Sequence, residues 1–326
     1  MATPAVVGDL VYIGSCSGNV FAIDRHDGRR RWTFDVKDDG RPASFHSDPL
    51  VADGMLIIGT DRGIQENPTS HVWALDPATG ALRWKCVVGN GIVSDIVRAG
   101  NRAIVVTRAE SLLCLDLASG RRVWTFTGKY PSSDVYLYRS PAAAGGRVFF
   151  GGTDEMVRAF DLQSGRLLWQ RPLGTPISSG ILAVGDEVVL TVGSGTLYRL
   201  DQATGAVRGQ FAIGAAYVGP PIAVGHSLVL LGGEHSIACV DLARSRVRWE
   251  QKFLDRNSSS RPYLWRGIVL AGTVKGELRA FRASDGMPQW SHALTGVIRG
   301  IGHGGPELYV GTQAGMLYAV RRPTSR

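Results

Sequence analysis

Apolar residues along this chain come in short runs of strand length, alternating with polar ones at a period of two and closed by turns rich in Gly, Asp, Ser and Thr. One composite pattern recurs eight times: an apolar strand, a Gly-containing turn, a second strand ending in Asp, another Gly turn, then a strand carrying Trp. VYIGSCSGNVFAIDRHDGRRRW is the first copy, and AIVVTRAESLLCLDLASGRRVW and VFFGGTDEMVRAFDLQSGRLLW keep the pattern closely. The anchor residues Asp24, Asp76, Asp116, Asp161, Asp201, Asp241, Arg282 and Arg321 mostly stand about 40 residues apart, the length of a four-stranded antiparallel blade. The pattern predicts an all-β, eight-bladed β-propeller, one domain over residues 1–326 whose last repeat is incomplete. A seven-bladed ring with the terminal half-repeats merged is the alternative.

Period-two alternation also assigns faces. Phe21 and Ile23, Trp73 and Leu75, and Leu113 and Leu115 share one packed face. The residue between them is Ala22, Ala74, Cys114, Ala159, Arg199, Cys239, Ala280 or Ala319, so a small side chain is the rule there and Cys114 and Cys239 read as buried fillers. The repeated Asp before a Thr-Gly or Ser-Gly turn reads as an acceptor for backbone N–H groups in that turn. Three copies drift: Gly209 replaces the tryptophan, Ser245 the turn glycine and Arg282 the aspartate, and these blades are expected to be less well pinned. The eighth copy, LYVGTQAGMLYAV, stops before its Trp strand, while MATPAVVG supplies only an inner strand to the first, so imperfect ring closure is expected, with an edge left for a partner or an upstream segment.

With 44% hydrophobic residues, the chain can bury a large core, and runs such as Ile181 to Val184 fall far short of a membrane span. Its four cysteines are widely separated without a CxxC, which argues against a zinc site, a redox pair or a disulfide framework. The net charge of +8 rests on scattered arginines rather than a basic run, so no nucleic-acid partner is expected. Residues 1–10 show no export signal, and the compartment stays open: periplasmic or otherwise extracytoplasmic if a leader has been removed, cytoplasmic otherwise.

The segments ALDPATGALRW and CLDLASGRRVW resemble the tryptophan-docking repeats of PQQ-like (pyrroloquinoline-quinone-like) β-propellers, and the resemblance covers nearly the whole chain. It implies that Trp32, Trp84, Trp124, Trp169, Trp249 and Trp290 pack between adjacent blades. The quinone-dependent dehydrogenases of that family use vicinal cysteines, a calcium site and an aspartate base. None of these can be matched here, so no PQQ, other cofactor or metal is expected. The chain is more similar to the non-catalytic members, such as the propeller lipoprotein of the bacterial outer-membrane β-barrel assembly machinery and the extracytoplasmic sensor propellers of some bacterial kinases.

All large insertions fall in the two loop classes that share one face of a propeller: DRGIQENPTSH, TFDVKDDGRPASFHSDP and TFTGKYPSSDVYLYRSP, with a milder case in LDRNSSSRPY. One face thus reads as elaborated for contact, and the expected function is a scaffold that binds a protein or peptide there. Near the central channel, aligned positions give a ring of Ala2, Ser47, Ser94, Arg139, Ser179, Gly219, Arg261 and Arg299. Arg139, Arg261 and Arg299, with Ser47, Ser94 and Ser179 as donors, form a candidate site for a small anionic ligand. An adjacent ring with Thr3, Asp48, Asp95 and Ser140 could neutralise those arginines instead, and only one ring can line the channel. The reading leans against an enzyme. If catalysis occurs, His46, Tyr138, Asp48 and Asp95 are the titratable candidates, as an anionic-substrate site or a ligand sensor at the channel mouth.

Overall fold

The computed structural model describes residues 3–36, 43–62, 70–128, 139–256 and 261–321, and these contain only strands, turns and bridges. No helix among them is long and apolar enough to cross a membrane. The strands form eight antiparallel sheets, each paired in chain order, over 5–35, 50–89, 97–126, 142–172, 182–212, 222–252, 263–293 and 298–321. Seven sheets have four strands; the eighth has three, Ile298–Gly304, Glu307–Thr312 and Leu317–Arg321. First strands of successive sheets touch one another, which puts them at the centre of an eight-bladed propeller.

The apolar core lies between blades rather than inside any one of them. Tyr12, Val20 and Ala22 of blade 1 pack on Leu56, Ile58 and Trp73 of blade 2, and comparable clusters fill each following interface to blade 8. Blades 8 and 1 meet through their inner strands. A side chain at Gly302 would collide with the Pro4 carbonyl, one at Gly304 would strike Val6, and Arg25 donates to Glu307 Oε2 (2.7 Å) and to the Gly304 carbonyl (3.0 Å). The ring is therefore continuous at its centre, although the outer strand of blade 8 is absent from the described residues.

One contact repeats at the outer part of the interfaces. Trp32, Trp84, Trp124, Trp169 and Trp249 each donate the indole N–H to a carbonyl in the following blade, that of Pro77, Leu117, Leu162, Gln202 and Ala283, at 2.9–3.1 Å. The ring of each lies on the turn glycine of that blade, Gly80, Gly120, Gly165, Gly205 or Gly286, where an added Cβ would overlap the indole. These glycines have φ between +68° and +74°, so the turn both needs the left-handed conformation and has no room for a side chain. Within its own blade each tryptophan stands opposite the small residue of the third strand: Ala22, Ala74, Cys114, Ala159, Cys239 and, for Trp290, Ala280.

Blade 5 departs from this at three linked positions. Arg199 stands opposite Gly209, so the bulk has moved from the fourth strand to the third. Arg199 Nη1 donates to the Leu242 carbonyl of blade 6 (2.8 Å), the position an indole N–H would reach, and Glu187 Oε2 and Oε1 accept from its Nε (2.7 Å) and Nη2 (2.6 Å). With no indole to lie on it, the turn of blade 6 carries Ser245 at φ +50° instead of glycine. Weaker pinning, expected from Gly209 and Ser245 taken singly, is corrected: the arginine replaces the lost cross-blade bond.

Gly120 and Gly28 both have φ +70°, but only Gly120 lies under an indole, that of Trp84, and nothing stands near Gly28. Gly120→Ala should therefore lose about 1–3 kcal/mol more stability than Gly28→Ala, the cost of overpacking beyond a shared backbone penalty. Urea unfolding of both variants measures this, and equal losses would show that the indole contact is not what excludes a side chain.

Candidate functional site

Each blade turns between its first and second strands, and each four-stranded blade also between its third and fourth, on one face, through tight connections such as 8–9 and 25–29. At the other face second strands pass to third strands and each blade passes to the next; the longest stretches between strands there are 36–49, 60–69, 127–141 and 253–262, of which 37–42, 63–69, 129–138 and 257–260 lie outside the described residues. The two faces differ in chemistry as well as in length. The repeated aspartates belong to the tight-turn face: Asp76 Oδ1 accepts the N–H groups of Ala78 and Thr79 (both 3.0 Å), and Asp201 Oδ1 those of Ala203 (2.9 Å) and Thr204 (2.8 Å). The Arg83 side chain and these backbone bonds hold Asp76 at about 2, and the Thr204 hydroxyl and N–H, with Arg208, hold Asp201 at about 2. These carboxylates are ionised turn supports.

On the long-loop face, three groups of polar side chains converge. In the first, Arg261, just before the inner strand of blade 7, donates from Nη1 to Asp48 Oδ2 at the entry to blade 2 and to Asp95 Oδ1 (2.7 Å) at the entry to blade 3. Blade 7 stands opposite blade 3 in a ring of eight, so this guanidinium bridges the channel. The Thr3 N–H donates to Asp48 Oδ1 (3.1 Å), and the Ser140 hydroxyl donates to Asp95 Oδ2 (2.9 Å). Burial pushes the Asp48 carboxyl above its usual range; Arg261 pulls it back and the Asp95 charge pushes it up further. Burial works against the charge of Arg261, yet Asp95 and Asp48 together raise its pKa. Arg299 lies in the same cleft, its Nη2 donating to Gln313 Oε1 (2.6 Å).

Arg139 belongs to a second group, away from that cleft. It is buried, with Nε donating to the Ile177 carbonyl (3.1 Å) and Nη1 to Glu110, which also accepts the Thr153 N–H (3.0 Å). The structure thus brings Arg261 and Arg299 together and places Arg139 in the interface of blades 3 and 4. Ser47, Ser94 and Ser179 are buried as well and bond to backbone: Ser47 accepts from Gly59 N–H (3.0 Å), Ser94 donates to the Val106 carbonyl (3.1 Å), and Ser179 accepts from Thr191 N–H (2.9 Å). Each ties the entry to an inner strand to the second strand of its own blade.

The third group centres on His46, whose Nδ1 donates to Asp61 Oδ2 (2.8 Å) and whose Nε2 lies 3.8 Å from Cys16 Sγ. Arg108 Nε donates to Asp61 Oδ1 (2.8 Å). His46 shares its cleft with Asp48 and Asp95, whereas Tyr138 and the neighbouring Tyr136 lie outside the described residues. Cys16, Asp61 and Arg108 were not singled out from sequence. They sit in three loops far apart in the chain, and only the repeat register, which aligns those loops on one face, hints that they meet. Among the described residues no group of three or more His, Cys, Asp and Glu side chains could hold a metal.

Comparison with known proteins bears on this arrangement. The family profile described as outer membrane protein assembly factor BamB matches residues 1–67, 67–187 and 153–301. The chain is 23% identical over 332 residues to outer membrane protein assembly factor BamB of Yersinia pestis, covering 98% of this chain and 84% of that one. Its counterpart in Escherichia coli (strain K12) is 23% identical over 299 residues, covering 87% and 74%. Among solved structures, BamB from Moraxella catarrhalis superposes with a TM-score of 0.80 at 19% identity, covering 98% of this chain and 96% of that one. The C-terminal WD40 domain of Sif2 superposes with a TM-score of 0.81 at 11% identity, covering 97% and 93%. At these identities the structural likeness shows the fold alone.

Removing the cation from the channel bridge leaves two carboxylates facing each other. Arg261→Met should cost about 1–3 kcal/mol at pH 7.5, below the value for a fully buried pair because the three side chains keep 37%, 25% and 21% of their surface open. Asp48 already has a raised pKa, which rises further without Arg261, so protonation relieves the repulsion and the deficit should shrink as pH falls towards about 5. Urea unfolding of both proteins across that range checks the sign; a deficit that stays constant or grows on acidification would contradict it.

Proposed function

The chain belongs to the PQQ-like propeller family described as outer membrane protein assembly factor BamB, and on that premise we propose that it is a non-catalytic scaffold that docks a protein partner during outer membrane protein assembly. The relatives are named outer membrane protein assembly factor, and the observation that supports a docking role for this chain is the asymmetry of the ring. One face is used up by tight aspartate and glycine turns, while the strands that flank the long connections 36–49, 60–69, 127–141 and 253–262 all end and begin at the other. Connections of that length on a rigid ring provide variable surface for recognition without disturbing the core.

The state of the channel supports the same reading. Asp48, Asp95 and Arg261 satisfy one another, and the buried Arg139 is committed to Glu110, so these groups are poor recruits for acid–base work or for gripping an anion. Docking falls to the loops and to the blade margins, where outer strands such as Val207–Ala212 alternate exposed and half-buried residues and offer an edge for strand addition. In this reading residues 1–326 work as one domain on the extracytoplasmic side of a bacterial envelope.

Leu254, fully exposed in the 253–262 connection, and Met287, 55% exposed in a tight turn of the adjoining blade, probe the two faces. A photo-crosslinking residue at Leu254 should capture a protein of the outer membrane assembly machinery in the native bacterium, identified by mass spectrometry, and one at Met287 should not. Equal capture from both faces, or adducts that contain no assembly protein, would refute the proposal.

A further inference from the structure

The Cys16, His46 and Asp61 side chains form a line of nucleophile, base and orienting carboxylate that the scaffold reading does not use. Cys16 is exposed in the loop between the second and third strands of blade 1, His46 lies in the crossing to blade 2, and Asp61 follows the second strand of blade 2. The His46 ring sits between the other two, 3.8 Å from the sulfur and 2.8 Å from Asp61. Behind it Asp61 is buried and gripped by the partly buried Arg108, which donates from Nε (2.8 Å) and Nη2 to the two carboxylate oxygens.

The crossing that carries His46 is stitched to both neighbours by backbone. The Ser44 N–H and carbonyl pair with the carbonyl and N–H of Asp61 at 2.9 and 2.7 Å, the Phe45 N–H donates to the Ser15 carbonyl (3.0 Å), and the Ser44 hydroxyl donates to the Cys16 carbonyl (3.0 Å). Gly14 lets the strands come this close, since a side chain there would strike Phe45. The three groups are thus preorganised by the same contacts that close the interface between blades 1 and 2.

The electrostatics follow from that placement. The hydrogen bond to His46 holds the Cys16 thiol down at about 6, and the hydrogen bonds to Asp61 and Cys16 raise the imidazole above its ordinary value. Both shifts favour the thiolate and imidazolium form of the pair. The other three cysteines behave oppositely: burial pushes Cys114 and Cys239 to about 11 and raises Cys86. The charged side chains around the pair are Asp61 and Arg108 behind His46, with Asp48 and Arg261 further along the cleft that His46 lines.

We propose that Cys16 is a nucleophilic thiolate, with His46 as its proton partner and Asp61 as the orienting group, and that it forms mixed disulfides with small disulfides. The Cys16 sulfur attacks one sulfur of the disulfide, a new S–S bond forms as the old one breaks, and the departing thiolate takes the proton carried by His46. Electrons balance within the exchange: Cys16 is oxidised to the disulfide level and the departing sulfur is reduced. Acyl transfer fits less well, because it needs donors for an oxyanion. The N–H groups of Ser15, Ser17 and Asn19 beside the sulfur are already given to the Asn19 carbonyl (2.8 Å) and the Ser15 hydroxyl (3.3 and 3.2 Å), and disulfide exchange needs no such donors.

The test uses the purified chain, 4,4′-dithiodipyridine and oxidised glutathione as probes, and mass spectrometry to map the adducts. One fast-reacting thiol is expected, mapping to Cys16, with a rate that is half-maximal near the pH of about 6 at which it ionises. At pH 6 it should react about tenfold faster than an ordinary thiol of pKa about 8.5, a large gain in thiolate fraction partly offset by lower intrinsic nucleophilicity. His46→Gln should move the midpoint up into the ordinary thiol range and remove that tenfold advantage, and Cys16→Ser should abolish the adduct. An ordinary thiol profile for Cys16 in the unsubstituted protein, or a midpoint unmoved by His46→Gln, would overturn the proposal. The unsubstituted profile decides even where a variant fails to fold.

Discussion

The ring depends on an indole lying flat on a glycine of the next blade. The flat contact is available only where the turn has no Cβ, and the same turn needs the left-handed conformation that glycine adopts without strain, as at Gly120 beneath Trp84. The indole N–H reaches past the glycine to a carbonyl of the next blade, and the strand facing the tryptophan keeps a small residue to make room for it. Three positions in two blades are therefore one constraint. Blades 5 and 6 show this by changing all of them together: arginine for the small residue, glycine for tryptophan and serine for the turn glycine, at 199, 209 and 245. Each change alone would leave a clash or a void; together they return a cross-blade hydrogen bond to the same carbonyl position.

That constraint also decides which face can vary. The glycine turn and its aspartate lie on the face where third strands pass into fourth, and both are held by contacts to the neighbouring blade or to their own backbone. Length added there would lift the glycine off the indole. Loops on the opposite face carry no such duty, so length and polar side chains accumulate there, including the crossings that bring Asp48, Asp95 and Arg261 over the channel and His46 beside Asp61.

The architecture was legible in the sequence because eight copies of one pattern report the blade and its period directly, and a drifting copy still shows its strands. The site was legible only in part. Aligned repeats group residues into sets of equivalent positions, yet period-two alternation does not say which of two adjacent sets faces the channel or where a long arginine turns. Arg139 and Arg261 hold equivalent positions, but Arg139 meets Glu110, a residue of the preceding blade, and turns into the interface. Arg261 meets two aspartates of distant blades and crosses the channel. Weaker pinning is expected of the blades of Gly209 and Ser245 only when each departure is taken singly, since the indole that would exclude a side chain at 245 is itself missing.

Relational constraints of this kind let residues change while the ring persists, as the compensated positions 199, 209 and 245 show. What must persist is the fit of bulk, gap and donor between neighbouring strands, and several residue sets satisfy it. The side chains on the loop face are free of that fit, so two rings with the same backbone can present unrelated chemistry there. A thiolate and imidazole pair at the interface of blades 1 and 2 is compatible with a scaffold for that reason: it is built from loop residues that the ring holds in register but does not need for its own closure.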